Sequence, residues 1–567
     1  MRSPREIAFR VRQELANLRL AAIPPSPAVQ VSSPLPLLPD SEAVVQALRG
    51  GVFAERVLEL ADGIVRREIP LLGYVLHAEP PVAWNRDYIH GRDAPGGYFR
   101  RVPYLDFHRA GDHKIIWELN RHQHLVVLAQ AYRFSGRRAY LDMLTAEIDH
   151  WITANPFARG INWVSALEVA LRALSWIWVF HLTAGEWTDS FRARFSTALY
   201  QHGRYLEENL SLYFSPNTHL LGEGLALHAL GVLFTRFPRA AAWARTGANI
   251  VREQMRSQVQ EDGSHFEQSS YYHVYALDMF LFHAVLTSPD EWFRAGLARM
   301  ADFLDALLGD GAMIPLLGDD DGGRLFHPYG ERCRFGLATL ATAGVLLGRP
   351  EWIRSRGDLE EQACWWLGGR VFSHAPAVRR VRESQLFPSS GLVFLRSRTA
   401  ELVIDAGPFG PGSAGHSHSD ALSVIARDGD TELLVDSGTF TYVSDPALRD
   451  WFRGSAAHNT IRVDGRNQAQ AAGPFRWNDP PRVVIAQWHS SADRDFLDAF
   501  CEYSGFRHRR RVLWLKSERE PFAVLVDDIC AVDADSDREH LVEQFWHAGA
   551  AVEPLGHGCY RIGRMRL

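Results

Sequence analysis

Lysine is almost absent from this chain of 567 residues. Among its 61 basic residues only Lys114 and Lys516 are lysines, and all the others are arginines. This skew indicates a compositional habit of the genome, so no single arginine is evidence for an anion-binding site. The 67 acidic residues give a net charge of −6. Nucleic-acid binding needs a concentrated basic surface, so no nucleic-acid partner is expected.

Cysteine is also scarce, and its placement argues against two kinds of site. The cysteines are odd in number, widely spread and never arranged as C-x-x-C; they are Cys333, Cys364, Cys501, Cys530 and Cys559. Neither a disulfide framework nor a cysteine zinc site is indicated by such spacing.

Long apolar runs are missing as well. We find no stretch of about 20 uncharged apolar residues, the length that a membrane-spanning helix needs. The basic N-terminus interrupts each apolar stretch before the core of a signal peptide could form. These absences predict no membrane insertion and a cytoplasmic location for the chain as written. A misassigned start would leave a periplasmic or secreted location open.

The residues that are present favour a globular protein of several domains. Hydrophobic residues make up 46% and charged residues 23%, which is near the average for soluble globular proteins. At about 150 residues per domain the length predicts two to four domains. We divide the chain into a proline-rich leader (1–40), a helical domain (41–380) and an antiparallel β domain (381–567).

The helical domain is predicted from apolar residues at three- and four-residue spacing. Predicted helices cover residues 118–134, 137–151, 165–182, 218–233 and 271–286. From about Leu386, short alternating runs bounded by Gly, Asp and Asn predict strands of stacked antiparallel sheets. The last run ends at Leu567 and predicts an incomplete sheet, whose exposed edge would favour association into a homo-oligomer.

One candidate site lies beside a predicted β-hairpin. The dipeptide DG at 428–429, between two alternating runs, is a strong hairpin signal, and a turn there pairs Arg427 with Asp430. In a strict ladder His418 and Asp436 would then point to opposite faces. We therefore expect the strand to end or to bulge before His418.

Three side chains near this hairpin form a set of possible metal ligands. His418, Asp436 and His458 offer two imidazoles and a carboxylate, which suit Zn²⁺ with water or substrate in the fourth position. No local H-E-x-x-H pattern supports the site. Hydrogen-bonded surface histidines are the alternative in a chain with 24 histidines.

Polar residues also gather at the starts of two predicted helices. Segment 215–219 precedes one helix, where Thr218 could serve as the N-cap; a helix start would also suit a carboxylate, because unpaired backbone donors point there. Segment 262–268 leads into Tyr272 and Tyr275. Aromatic residues on a helix are more often core than catalytic, although their hydroxyls need partners when buried.

An acidic turn occupies residues 318–324, with the sequence GDDDGGR. It lacks the full ligand set of an EF-hand loop. A capping turn or a turn paired with arginine is therefore favoured over a calcium site.

Several segments together resemble the heparinase II/III-like polysaccharide lyases. The resembling motifs follow one another from about residue 115 to 470: WELNRHQHLVVLAQAY, NPFARGINWVSALEVALRALSWIW, SPNTHLLGEGLAL, DGSHFEQSSYYHVY, HSHSDALS, LLVDSGTFTY and WFRGSAAHNTIRVDGRNQ. The resemblance implies an α+β multidomain fold, in which an N-terminal (α/α) toroid of helical hairpins precedes an antiparallel β-sandwich domain.

The resemblance also implies β-elimination of an anionic uronate polysaccharide. The C5 proton of a uronate is weakly acidic, and donors that neutralise the neighbouring carboxylate make its removal easier. Asn217 and His219 resemble the family's neutralising pair. Tyr272 resembles its general acid, which in some members is also the base, and Tyr275 is the runner-up. His416 matches the inter-domain histidine, the base for the other C5 configuration.

A structural Zn²⁺ is implied as well, since His418, Asp436 and His458 match the family's metal ligands. Further residues of the motifs are candidates for substrate contact, each with a structural role in the toroid as an equal alternative: Glu118, Arg121, Trp163, Glu168, Arg172, Glu223, Gln268 and Tyr275.

Two other functions suit the same scaffold. A polysaccharide-binding or exopolysaccharide-processing accessory protein would share the fold without catalysis, and retention of Asn217, Tyr272 and His416 favours an enzyme instead. A glycoside hydrolase would need two carboxylates that flank the scissile bond, and Glu223 with Glu267 is the pairing to test.

Overall fold

The computed structural model describes residues 3–27, 29, 31, 35–310, 313–330, 332–376, 382–398, 400–517, 521–532 and 539–567. Helices fill most of the chain up to Leu367, and antiparallel strands are the main regular elements from Gln385 onward. The α-helices are α1 (Pro4–Ala22), α2 (Ser41–Leu48), α3 (Val52–Val65), α4 (Phe107–Ala110), α5 (His113–Asn120), α6 (Gln123–Ser135), α7 (Arg138–Ala154), α8 (Ala166–Thr183), α9 (Asp189–Glu208), α10 (Thr218–Leu233), α11 (Ala240–Gln258), α12 (Ser270–Val285), α13 (Glu291–Leu308), α14 (Phe335–Leu347), α15 (Ala363–Leu367) and α16 (Pro446–Phe452).

The strands pair in small sheets, and each pairing is antiparallel. They are β1 (Glu68–Leu71), β2 (Tyr74–His77), β3 (Arg86–Asp87), β4 (Arg92–Asp93), β5 (Gln385–Phe387), β6 (Leu392–Arg396), β7 (Ala400–Asp405), β8 (Val424–Asp428), β9 (Thr431–Leu434), β10 (Ile461–Val463), β11 (Gln470–Ala471), β12 (Trp477–Asn478), β13 (Arg482–Ser490), β14 (Arg494–Tyr503), β15 (Phe506–Leu515), β16 (Phe522–Ala531), β17 (Val542–Gln544), β18 (Val552–Gly556), β19 (Cys559–Ile562) and β20 (Met565–Arg566).

The helices differ from the predicted ones at two places. The helix predicted over 118–134 is broken, because His122 adopts a left-handed conformation (φ 60°) between α5 and α6. Its imidazole Nδ1 accepts a hydrogen bond from Trp176 Nε1 at 2.9 Å. The predicted leader contains α1, which is held by reciprocal 2.8 Å amide hydrogen bonds between Asn17 and Asn209. The apolar spacing of the sequence continues through His122, so this spacing could not reveal the break between α5 and α6.

Helix α8 lies at the centre of the helical core and is buried along its whole length. Among the described residues, the segment Ala166–Glu186 is the one long and apolar enough to cross a membrane. The part of this segment that forms α8 is completely buried, as in the core helix of a globular protein. Free thiols occur at Cys364, Cys501, Cys530 and Cys559, whereas the side chain of Cys333 lies outside the described part of the chain.

Two sheets form the core of the β domain. The first has the order β5-β6-β7-β8-β9 and the second β13-β14-β15-β16, and Leu395 and Ile404 of the first share an apolar cluster with Leu497 and Val512 of the second. The opposite face of the first sheet packs on α13. Because both of its faces are covered, all five residues of β6 are buried, while β16 alternates between exposed and partly buried residues over most of its length.

The predicted hairpin forms with a corrected register. Asp428 pairs with Thr431, so the turn is Gly429-Asp430 and the predicted pairing of Arg427 with Asp430 is wrong by one residue at each end. Gly429 takes the positive φ of 59° that this tight turn needs. The strand β8 starts only at Val424, so His418 lies in the preceding loop, as expected.

Candidate active site and metal centre

The acidic turn joins the helical half to the β domain. The amide of Asp319 donates to the His416 carbonyl at 2.9 Å, and the amide of Asp320 donates to Thr439 Oγ1 at 2.7 Å. Gly318 precedes them at φ 66°, and a Cβ there would overlap the carbonyl oxygens of Gln268 and His416. Glycine is therefore required where the two halves come closest.

Tyr272 and His416 meet at this joint. Tyr272 lies in the first turn of α12, whose N-cap Ser269 accepts from the Tyr272 amide. Its ring stacks on the His416 imidazole with 4.0 Å between centroids and 25° between planes. Its hydroxyl is 3.5 Å from the hydroxyl of Tyr442. Burial raises the pKa of Tyr272 well above its ordinary value, so the hydroxyl keeps its proton at neutral pH.

The two imidazole nitrogens of His416 face different carboxylates. Nδ1 lies 3.1 Å from Asp319 Oδ2, and Nε2 lies 3.6 Å from Glu267 Oε1. Burial opposes the charged ring, but the hydrogen bond that His416 donates to Asp319 and the charge of Glu267 together raise the pKa of His416. Asp319 thus fixes the proton on Nδ1 and leaves Nε2 directed at Glu267.

Asn217 links the start of α10 to the same carboxylate. Its Oδ1 accepts from the His219 amide at 3.1 Å, so Asn217 is the N-cap and the assignment of that role to Thr218 is wrong. Its Nδ2 donates to Glu267 Oε1 at 2.6 Å. Burial and the nearby His416 lower the pKa of His219 to about 4, which leaves a neutral imidazole at pH 7.

The three predicted metal ligands come together behind His416. One ligand atom from each of His418, Asp436 and His458 lies within 4.8 Å of the others, and all three residues are buried. His418 Nδ1 and His458 Nε2 are buried with no hydrogen-bond partner among the described residues. The unpartnered nitrogens and the adjacent carboxylate fit a divalent cation that takes nitrogen and oxygen ligands.

Asp319 connects the two sites and was missed as a site residue in the sequence. Its Oδ1 lies 3.0 Å from His418 Nε2, its Oδ2 contacts His416, and Arg449 binds both oxygens. Since Asp319 and Arg449 are 130 residues apart, no local pattern relates them. Tyr442 was equally hidden, although it ends one of the quoted motifs.

The rest of the acidic turn is paired with cations. Asp320 pairs with Arg332, and Asp321 Oδ2 lies 3.1 Å from Lys114 Nζ. The pair of Asp320 with Arg332 agrees with the expected arginine-paired turn.

A chain of buried charged side chains borders the cluster formed by Asn217, His219, Glu267, Tyr272 and His416. Lys114 Nζ is 3.0 Å from Glu118, and Arg121 contacts Glu118 at 2.7 Å and binds Glu168 through two hydrogen bonds of 2.7 and 2.8 Å. The Tyr275 hydroxyl is buried without a hydrogen-bond partner among the described residues. Lys114 also contacts Asp321 of the acidic turn, so the candidate substrate residues Glu118, Arg121 and Glu168 form a chain of contacts that leads to this turn.

Other candidate substrate residues lie inside the helical core. Arg172 covers Trp151 at 4.3 Å and donates to the Asn162 carbonyl at 3.0 Å, and Trp163 is 1% exposed. Both oxygens of the buried Glu223 accept from Ser211. The structure favours the structural role that the sequence left open for Arg172, Trp163 and Glu223. Gln268, by contrast, lies at the joint with a φ of 54°.

The fold and the site define a class of protein, and comparison with known families identifies it. Residues 84–291 match the heparinase II/III N-terminus, and residues 379–559 match the heparinase II/III-like C-terminal domain. The chain belongs to the heparinase II/III-like family. The membership inferred from the quoted motifs is confirmed.

Two relatives are heparin-sulfate lyases. The enzyme of Bacteroides stercoris is 23% identical over 459 residues, which are 76% of this chain and 64% of that protein. The enzyme of Pedobacter heparinus is 23% identical over 447 residues, 72% of this chain and 59% of that protein. The matches therefore span less than two thirds of the length of these relatives.

Two solved structures share the fold. A crystal structure of heparinase III has a TM-score of 0.63 at 18% identity and covers 91% of this chain and 75% of that chain. The structure of heparan sulfate lyase HepC from Pedobacter heparinus has a TM-score of 0.51 at 18% identity. The match covers 92% of this chain and 74% of that chain. They confirm the predicted α+β multidomain fold, a helical toroid followed by a β-sandwich.

Proposed function

We propose that this protein is a polysaccharide lyase that cleaves a uronate-containing polysaccharide by β-elimination and leaves a C4–C5 unsaturated uronate. The observation that carries the proposal is the convergence of three side chains from two differently folded halves. Asn217 and Tyr272 come from helix starts in the toroid, and His416 comes from a loop of the β domain. The heparin-sulfate lyases to which the chain is similar support an anionic polymer as the substrate.

The first task of the site is to neutralise the uronate carboxylate. The amide of Asn217 and the neutral imidazole of His219 are donors at the N-terminus of α10, where backbone amides and the helix dipole add positive potential. Donors that are already in place need no reorganisation as negative charge moves from C5 onto the carboxylate.

The second task is transfer of two protons. Tyr272 is protonated at rest and donates to the C4 oxygen as the C4–O bond breaks. His416 accepts the C5 proton on Nε2 for one C5 configuration, since Asp319 holds Nδ1. For the other configuration Tyr272 first loses its proton to solvent; its phenolate then takes the C5 proton and gives that proton to the C4 oxygen as the C4–O bond breaks.

The metal ligands have a separate task. His418, Asp436 and His458 would hold Zn²⁺, and the ion would fix the loop that presents His416 without contacting the substrate. All proton transfers in this scheme are made by side chains of the chain itself.

The alternatives have less support. A hydrolase needs two carboxylates that reach the scissile bond, but Glu223 is fully buried and both of its oxygens are occupied by Ser211. An accessory protein would not need Asn217, Tyr272 and His416 together, and the chain retains all three.

The test is an elimination assay on a panel of polymers. The protein is incubated with heparan sulfate, hyaluronan, alginate and bacterial exopolysaccharides, and the ultraviolet absorbance of the new double bond is followed. A rise on one polymer, with products lighter by one water than hydrolysis products, is expected. Products without the double bond would contradict the proposal, as would binding without cleavage across the panel.

A further inference from the structure

Helix α1 carries four of its apolar side chains on the outside, whereas Leu20 and Ala21 pack against the helical core. Ile7, Val11, Leu15 and Leu18 are 52, 56, 65 and 50% exposed. At 100° per residue they fall within an arc of about 80°, so they form one continuous stripe. A helix on a protein surface normally turns its apolar face to the core, so this stripe requires a different explanation.

The two buried residues of α1 are amides, and their hydrogen bonds fix the orientation of the helix. Gln13 is buried and donates to the Glu208 carbonyl at 3.0 Å. Asn17 is 2% exposed and exchanges two hydrogen bonds of 2.8 Å with Asn209. Rotating the stripe inward would break these bonds and bury apolar groups against amides. The outward stripe is therefore built into the fold.

A row of arginines follows one flank of the stripe. Arg5, Arg12 and Arg19 are exposed and seven residues apart, so they align along the helix. The two carboxylates of α1 are already paired, Glu6 with Arg10 at 2.8 Å and Glu14 with Arg100 at 2.7 Å. The surface beside the stripe is therefore positively charged, although the whole chain carries −6.

We propose that α1 is an interfacial helix that docks the protein on an anionic phospholipid surface. It would lie in the plane of the surface without spanning it, with the stripe among the acyl chains and the arginines at the phosphates. A second copy of the chain fits less well. An antiparallel two-fold pair of α1 helices would bring the arginine rows face to face, at a cost in like-charge repulsion.

The position of α1 relates this surface to the candidate site. Tyr213 lies in the loop before Asn217 and packs on Phe9 of α1, with 5.3 Å between ring centroids. Its neighbour Phe214 is 70% exposed. Docking through α1 would thus hold the loop that leads to Asn217 close to the lipid.

The test is co-sedimentation of the full chain with vesicles of phosphatidylcholine alone or mixed with phosphatidylglycerol. Binding is expected only to the mixed vesicles, and 1 M salt should abolish most of it because the screening length falls to about 3 Å. The triple variant Arg5→Gln/Arg12→Gln/Arg19→Gln should bind on the order of a hundredfold more weakly. Leu15→Ser/Leu18→Ser should also lose binding.

The matched controls change exposed residues elsewhere. Arg236→Gln/Arg245→Gln/Arg398→Gln and Leu448→Ser/Val524→Ser should bind vesicles like the unchanged protein, and thermal unfolding checks that each variant is folded. Equal binding of the α1 and control variants would overturn the proposal, as would absence of binding. A dimer in sedimentation velocity that Leu15→Ser/Leu18→Ser dissolves, without vesicle binding, would assign the stripe to a second copy instead.

Discussion

Asp319 is the residue on which both halves of the site depend. Its two oxygens serve the base candidate His416, the metal-ligand candidate His418 and the buried Arg449. The charge of Arg449 and the hydrogen bonds from both imidazoles outweigh burial and hold the pKa of Asp319 well below its ordinary value. Asp319 therefore stays ionised while it contacts two imidazole rings, that of the proposed base His416 and that of the candidate metal ligand His418.

Replacing Asp319 should weaken metal binding as well as catalysis. We expect Asp319→Asn to lower metal affinity about 10- to 100-fold, the usual effect of losing an outer partner of a metal-binding histidine. Chelator competition on the purified protein measures the affinity, and the elimination assay gives the rate. Asp320→Asn, in the same turn but paired with Arg332, is the control and should keep its metal. Equal metal retention by both variants would refute the orienting role.

Glu223 gives a prediction about stability and pH. Burial raises the pKa of its carboxyl from about 4.5 to about 8 in the folded protein. A group with a raised folded pKa contributes stability that is complete below about pH 4.5 and is lost as the pH rises through about 8. Glu223→Gln should therefore lose less unfolding free energy than the unchanged protein between pH 5 and pH 9. Urea unfolding at several pH values measures the difference.

The control for this prediction is Glu253→Gln, which changes an exposed carboxylate paired with Arg256. Its pH dependence should match that of the unchanged protein. Equal pH dependence of the unfolding free energy for Glu223→Gln and the unchanged protein would contradict the prediction, because Glu223 would then ionise as easily in the folded protein as in the unfolded chain.

The loops that carry the candidate metal ligands show which elements the sequence could predict. The set of His418, Asp436 and His458 followed from residue type and family motif, and the strand end before His418 followed from the two-residue period of a strand. The turn was misplaced by one residue because a DG dipeptide fixes a hairpin without fixing its central pair. The break at His122 had no sequence signal, since a tertiary hydrogen bond to Trp176 supports it.

At the same scale, metal binding should stabilise these loops measurably. Zinc at a hundredfold excess over its dissociation constant adds about 2.7 kcal/mol to the folded state, so we expect it to raise the Tm of the stripped protein. His458→Ala should abolish that rise. His489→Ala, at an exposed position on β13, is the control and should respond to zinc like the unchanged protein. A rise retained in His458→Ala would place the ion elsewhere.

The two halves of the molecule are held together by buried arginines on the first sheet. Arg427 donates to the Leu307 carbonyl, at the end of α13, at 3.0 Å and to the Met313 carbonyl, just beyond that helix, at 2.6 Å. It also pairs with Glu401. Arg396 donates to the Ala306 carbonyl at 2.7 Å. These contacts give hydrogen-bond partners to carbonyls at and just beyond the end of α13, which the sheet would otherwise bury without a partner.

Removing Arg427 should therefore destabilise the whole molecule. We expect Arg427→Met to cost about 3 to 5 kcal/mol of unfolding free energy, since it leaves buried carbonyls and part of the Glu401 charge unpaired. Arg462→Met breaks a partly exposed pair with Glu543 and should cost less than about 1 kcal/mol. Denaturant titration of both variants measures the difference. Equal costs would show that the arginine contacts do not hold the halves together.

The order of helices and strands could be predicted over most of the molecule, because apolar periods of 3.6 and 2 are local properties of the sequence. The contacts across the joint could not. The contacts of Glu267 with His416, Asp319 with Arg449, and Tyr272 with Tyr442 join residues that lie far apart in the sequence. The family motifs identified most of the residues that meet around His416, but not the contacts between them.

In the proposed mechanism Tyr272 transfers a proton during elimination, and a comparison of two neighbouring tyrosines tests this role directly. Tyr272→Phe should lower the rate of double-bond formation by about 10²- to 10⁴-fold with the protein still folded. Tyr271→Phe removes only a hydroxyl that donates to the Arg332 carbonyl at 3.0 Å and should keep the rate. Undiminished elimination by Tyr272→Phe, on a polymer that the unchanged protein cleaves, would contradict the proposed role of Tyr272 in proton transfer.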